Sequence, residues 1–239
     1  MATAIGIGIG VPFQKVPDSG VSAPVAVSHS GDALTTGHPS RTISFTPSAS
    51  TSMLLIPVQW ALLSNSLART LSSVTVDGVA ATINAQGNNS STGPNANVGA
   101  AICSIAIAPG ATARSVVVTL SGSVNRISAS FIELNETLVV DQTASDLATD
   151  GNVAVDVGLS TTASAIIVSS ASGATATSGP NATWNAEATE IGESSGTATN
   201  HSLESSAYEV ATQAVSRTVS VTSNNTMAAW ALVAASFKK

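Results

Sequence analysis

An all-β fold is what this sequence predicts: an antiparallel β-sandwich, jelly-roll-like, with an extended N-terminal arm. Three observations carry that expectation. Apolar residues recur at every second position in short runs along most of the chain, the period that places them on one face of a strand. Asp77-Gly78 stands between two such runs, and Asp-Gly in that setting is the signature of a type I′ hairpin, whose two central residues take positive φ. No segment has a persuasive 3.6-residue period, and residues 59–71 have room for one short helical turn at most.

Residues 1–22 read as an arm. Ile5, Ile7 and Ile9 alternate with Gly6, Gly8 and Gly10, so the three Ile side chains share one face of an extended ribbon and the other face is bare. Glycine has a high ordering entropy and nothing to pack, so this ribbon is not a stable strand alone. It gains order by laying its Ile face on a partner. Pro12, Phe13, Pro17 and Gly20 follow and favour extended chain over helix. Ile5, Ile7, Ile9 and Phe13 are therefore the candidate partner-binding residues, with Phe13 as the aromatic anchor.

Residues 23–239 read as the sandwich domain. Val25 and Val27 alternate with small residues, Ile43 and Phe45 do likewise before Pro47, and residues 52–62 form a stronger apolar run. The Asp-Gly hairpin occupies residues 73–83. Runs at 100–107, 114–120 and 126–134 follow, separated by Pro109-Gly110 and Gly122. Weaker strands are expected at 138–143, 153–157 and 164–170. The last group is 182–188, 203–212, 215–222 and 227–237. Short strands with even punctuation suit a sandwich or barrel. Residues 84–98, 171–181 and 189–202 are apolar-poor and rich in Gly, Asn, Ser or Thr, and read as long loops.

Composition narrows the function classes. Charged residues make up 9% of the chain against 44% hydrophobic, and the net charge is −6. Ordinary soluble domains carry roughly 25% charged residues. A neutral, Ser/Thr/Asn/Ala-rich surface suits dense packing against neighbours. Of the basic residues only Lys238 and Lys239 adjoin, so no stripe exists to neutralise phosphates, and nucleic acid is not an expected partner. No apolar run reaches the ~18–20 residues of a membrane span, and no membrane partner is expected. The N-terminus does not read as a Sec signal peptide. Cys103 is the only cysteine; it sits in an apolar alternating run and reads as a small core residue.

The candidate chemistry is thin. His29 has Asp32 three residues on, but no G-x-S-x-G elbow occurs. Asp141, Asp146, Asp150 and Asp156 recur through one region and, with Asn152, carry oxygens of the kind Ca²⁺ takes, though without EF-hand spacing. Solvated connecting chain is the simpler reading, and no metal or other cofactor is expected. Glu187, Glu190 and Glu193 cluster near Trp184; paired carboxylates beside an aromatic are the tools of glycoside hydrolysis. Trp60 and Trp230 lie inside apolar runs and read as core. Trp184, flanked by Thr183 and Asn185 after a loop, is the candidate glycan contact.

Three stretches are similar to tailed-bacteriophage virion β-sandwich proteins. They are MATAIGIGIGVPF; SVTVDGVAATI followed by VGAAICSIAIAPGATARSVVVTLSGSVNRISASFIEL; and SNNTMAAWALVAASFK. The resemblance implies a non-enzymatic structural protein that decorates or stabilises a capsid, or forms a head fibre or tail attachment. It implies a virion location after assembly in the host cytoplasm. Other capsid or tail subunits and further copies of the chain are the implied partners, and no catalytic residues carry over. The alternative expectation is a carbohydrate-binding adhesion module that recognises a host surface glycan through Trp184 and the loops around it.

Overall fold

The computed structural model describes residues 20–31, 37–63, 67–91, 96–195 and 201–239. Over these the protein is all-β. The strands are β1 (Ala26–Ser30), β2 (His38–Phe45), β3 (Met53–Leu62), β4 (Leu71–Val76), β5 (Val79–Ala80), β6 (Thr82–Ser91), β7 (Ala96–Ala106) and β8 (Arg114–Val124). They continue with β9 (Arg126–Leu134), β10 (Val139–Ser160), β11 (Ala165–Thr175), β12 (Ala182–Trp184), β13 (Thr189–Ser195), β14 (His201–Ala211) and β15 (Ser216–Lys238). The described part of residues 59–71 contains no helical turn.

Three antiparallel sheets form. The first has the order β1-β9-β3-β7-β6, the second β2-β8-β4-β5, and the third β10-β15-β11-β14-β13 with β12 on β15. The first sheet lies between the other two. Its strand β3 shows why. Leu54, Ile56, Val58, Trp60 and Leu62 pack with Val74, Val116 and Val118 of the second sheet. Met53, Leu55 and Ala61 point the other way and pack with Ile166, Val168 and Val233 of the third. Both faces of a period-two strand are thus apolar, and residues 53–62 read as one continuous apolar run. Pro57 sits in this central strand without an N–H to donate. The β3–β9 ladder is interrupted at Ile56 and Pro57 and resumes at Val58 in unchanged register.

Turn chemistry is local and acts as expected. Asp77 and Gly78 have φ of 51° and 82°, and they join β4 to β5 with Val76 opposite Val79. The Asp77 carboxylate also accepts from Ser115 N at 2.8 Å and Arg114 Nη1 at 3.0 Å, which fastens the turn to β8. Close packing makes a different demand at Gly99. It is the register partner of Trp60, and a Cβ there would lie 2.0 Å from Trp60 Cζ2. The absent side chain is the space in which the indole lies.

The third sheet covers its own outer face. β10 and β15 pair along nearly their whole lengths, but register shifts between Thr149 and Ala154 break the ladder. Gly151, at φ 90°, lies in that break. Bulges of this kind bend a strand pair. Beyond the bend, Val155, Val157 and Leu159 of β10 and Val219 and Val221 of β15 pack on Ile167, Leu203, Trp230 and Leu232. The expected weak strands at 138–143 and 153–157 are therefore two limbs of one strand. The sandwich principle is used three times: second sheet on first, first on third, and third on its own folded limb.

The apolar-poor segments depart from the loop expectation. Residues 84–98 are mostly β6 and the start of β7, 171–175 extend β11, and 189–195 are β13. β6 and β13 are sheet edges, where only one side of the strand needs a partner. Polar residues satisfy that requirement as well as apolar ones, because half of their environment is solvent.

Candidate functional site

The arm residues Ile5, Ile7, Ile9 and Phe13, together with Asp32, lie outside the described residues. The described chain begins at Gly20, and its anchorage is well defined. Lys239 Nζ donates to Gly20 O at 3.0 Å, Ser164 Oγ accepts from Val21 N at 3.0 Å, and Glu136 Oε1 accepts from Ser22 N at 2.7 Å. Lys239 also pairs with Glu136 at 2.9 Å. The start of the body, its C-terminus and the first residues of β10 thus meet at one end of the molecule.

Asp141 belongs to this end. Its carboxylate pairs with Lys238 at 2.7 Å and accepts from Thr162 N and Oγ1 at 2.8 Å each. Desolvation pushes its pKa up, but the Lys238 charge and these hydrogen bonds outweigh that and hold it below the usual carboxylate range. Asp146 pairs opposite Leu232 and Asp156 opposite Ser220, on the two limbs of β10, and Asp150 lies between them at the bend. Among the described residues no group of three or more His, Cys, Asp or Glu side chains is arranged to hold a metal ion.

Trp184 is not at the surface. It is 8% exposed, packs in the core under the folded limb, and donates Nε1–H to Ser205 Oγ at 2.9 Å. The stacking platform expected of it has no open face, because three-residue β12 tucks the ring under β15. The neighbouring carboxylates serve this tuck. Ser205 Oγ donates to Glu190 Oε1 at 3.3 Å. Glu193 accepts from Ala182 N at 2.5 Å and Asn181 Nδ2 at 3.4 Å. Burial raises the pKa of Glu193, the Ala182 bond opposes this, and nearby Glu190 adds to it. Glu187 accepts from Asn185 Nδ2 at 2.9 Å. Each carboxylate of the expected cluster is thus engaged within or beside its own segment. Trp60 and Trp230 are fully buried, as expected.

His29 bridges two sheets. Its Nδ1 lies 2.9 Å from Ser130 Oγ on the first sheet and its Nε2 2.8 Å from Ser194 Oγ on the third. Burial, with a contribution from the Arg41 charge, lowers its pKa to about 4. This imidazole is neutral at pH 7, and its two serine contacts join the first sheet to the third.

His29 is one member of a polar seam between the first and third sheets. Gln59 Nε2 donates to Ser170 Oγ at 2.8 Å, and Ser170 Oγ donates to Val58 O at 3.1 Å. Ser172 Oγ donates to Trp60 O at 3.0 Å. Ser130 and Ser206 hydroxyls lie 2.6 Å apart. Arg126 Nε pairs with Glu204 Oε2 at 3.1 Å, with the Glu204 side chain fully buried. One part of this interface is therefore apolar and the other hydrogen-bonded. Sequence reasoning missed the seam. The available signal was that Ser128 and Ser130 share a strand face with Ile132 and Leu134, so that face changes character partway along.

Comparison with models of protein families, with curated proteins and with solved structures gives no match. Among the described residues, many ionisable side chains pair across sheets and segments, as Arg126–Glu204, Arg217–Glu209, Lys238–Asp141 and Lys239–Glu136 do.

Proposed function

We propose that this chain is a non-enzymatic structural virion protein of a tailed phage, a capsid-decorating or head-fibre component that attaches through its N-terminal arm. One observation supports this above the rest. Residues 26–238 by themselves supply three sheets, each of at least four strands, which is the make-up expected of a body to which an arm is an addition. An extended apolar ribbon of the kind read at residues 5–10 is suited to adding to another molecule as a strand. The winding also supports it: from β1 to β9 the chain passes between the first and second sheets at every connection except β4–β5 and β6–β7, giving facing orders β1-β9-β3-β7-β6 and β2-β8-β4-β5. We read that winding as a jelly roll. The low content of charged residues fits a component packed in many copies, where modest contacts add up through effective concentration.

Deleting residues 1–13 tests the reading. The truncated chain is expected to fold, remain soluble and fail to join particles when supplied in place of the full chain. Normal incorporation of the truncated chain overturns the proposal. The carbohydrate-binding alternative lacks a comparable support, since the three Trp rings are all buried.

A further inference from the structure

Within the seam between the first and third sheets, two neighbouring residues hold buried polar atoms that no protein group satisfies. Gln59 on β3 and Ser128 on β9 are register partners, and both are fully buried. The orientation of the Gln59 amide is fixed by its contacts. Its Nε2 donates to Ser170 Oγ at 2.8 Å and to Ser205 O at 3.4 Å. Ser205 O can only accept, and Ser170 Oγ gives its own proton to Val58 O at 3.1 Å, so both require the NH₂ end of the amide. Gln59 Oε1 therefore points away from them and meets no donor, and Ser128 Oγ has no hydrogen-bond partner either. Buried polar atoms are nearly always hydrogen-bonded, because the water bonds lost on folding must be replaced. Here one orphan is an acceptor and the other has a proton to give.

We propose that this place is a binding site for a single internal water molecule, which accepts the Ser128 hydroxyl proton and donates to Gln59 Oε1. Directly opposite residues of an antiparallel pair have Cβ atoms about 5 Å apart, a spacing that one water spans when the polar atoms do not meet directly. The surroundings are polar and the flanking side chains small. Ala100 stands opposite Gln59 on β7, and Ser170 faces it from the third sheet. Two polar partners are the fewest a buried water takes. They are too few for a calcium ion, which takes roughly six to eight oxygens. The site goes beyond the attachment reading and is independent of it, since every residue involved belongs to the body. It also gives Gln59 a structural role. Its backbone lies in β3, its Nε2 holds β11 through Ser170, and its Oε1 holds β9 through the water. One buried amide thus ties two strands of the first sheet to one of the third.

A high-resolution crystal structure of the full chain tests this. A solvent peak is expected within about 3.2 Å of both Gln59 Oε1 and Ser128 Oγ. A direct Ser128–Gln59 hydrogen bond overturns the inference. So does a seam with no peak between the two atoms, or a peak ringed by enough oxygens to be a cation. Solution measurement gives an independent check. Oxygen-17 magnetic relaxation dispersion counts the water molecules that a protein holds for longer than its tumbling time. Ser128→Ala removes the proton donor and is expected to lose about one such water per chain. Ser72→Ala, at an exposed position, is expected to lose none. Equal counts in the two variants overturn the inference. Should Ser128→Ala fail to fold, the density in the unmodified chain decides alone.

Discussion

At the scale of single residues, the buried polar groups have the largest expected effects. Arg126 and Glu204 are both buried, and their ion pair crosses between the first and third sheets. Removing one partner leaves a buried charge without its counter-charge, which costs about 3–5 kcal/mol. Arg126→Met is therefore expected to lower stability by that order in urea unfolding. Arg126→Met combined with Glu204→Leu is expected to recover most of the loss, since an apolar pair of similar volume is often tolerated. A double variant no more stable than the single one would show that the pair is not the source of the loss. Ser130 and Ser170 carry the same lesson about legibility. In the sequence they are indistinguishable from the many surface serines, and only the sheet facing them makes them part of a seam.

At the scale of elements, local chemistry decided most of what was readable. The Asp77-Gly78 hairpin was legible because positive φ at two consecutive positions leaves few residue choices. Gly78→Ala adds a Cβ to a residue at φ 82° with open space around it, so the cost is backbone strain alone, on the order of 1 kcal/mol. The variant is expected to unfold at slightly lower denaturant with an unchanged slope; a loss well beyond that would mean that the turn does more than join two strands. The edge strands were not legible. β6 and β13 consist largely of Asn, Ser, Gly and Glu, because an edge needs hydrogen-bond register on one side and little apolar surface. The bend of β10 and β15 was equally hidden. Its two limbs read as separate weak strands, since the residues around Gly151 look like an ordinary turn.

At the scale of the whole molecule, the stacked sheets make stability depend on pH through His29. Its pKa in the fold is about 4, against about 6.5 unperturbed. The folded state thus favours the neutral ring, and the unfolded chain binds the proton more readily. The contribution is fully present above pH 6.5, is lost as pH falls from 6.5 towards 4, and changes no further below that. The loss is on the order of 2–3 kcal/mol at most, given that part of the ring remains near solvent. Thermal unfolding at pH 7 and pH 4.5 checks it. His29→Gln is expected to flatten the pH dependence between these values, and an unchanged dependence would place it on the carboxylates. Trp184 shows the other side of this scale. Its neighbours in sequence are polar, and its neighbours in space are Ile167, Leu203 and Val221.

The sequence by itself determined the class: strands and antiparallel pairing through short turns, with no helix among the described residues. These follow from periodicity and turn residues, which act over a few positions. The tertiary structure decided which faces meet. It placed one sheet between two others, folded a strand pair over its own sheet, and buried the ring expected at the surface. The physical reason is that period two tells a side chain which face it shares, but not what that face will touch. Only the packing of whole sheets supplies the partner, and with it the difference between a serine in solvent and a serine in a seam.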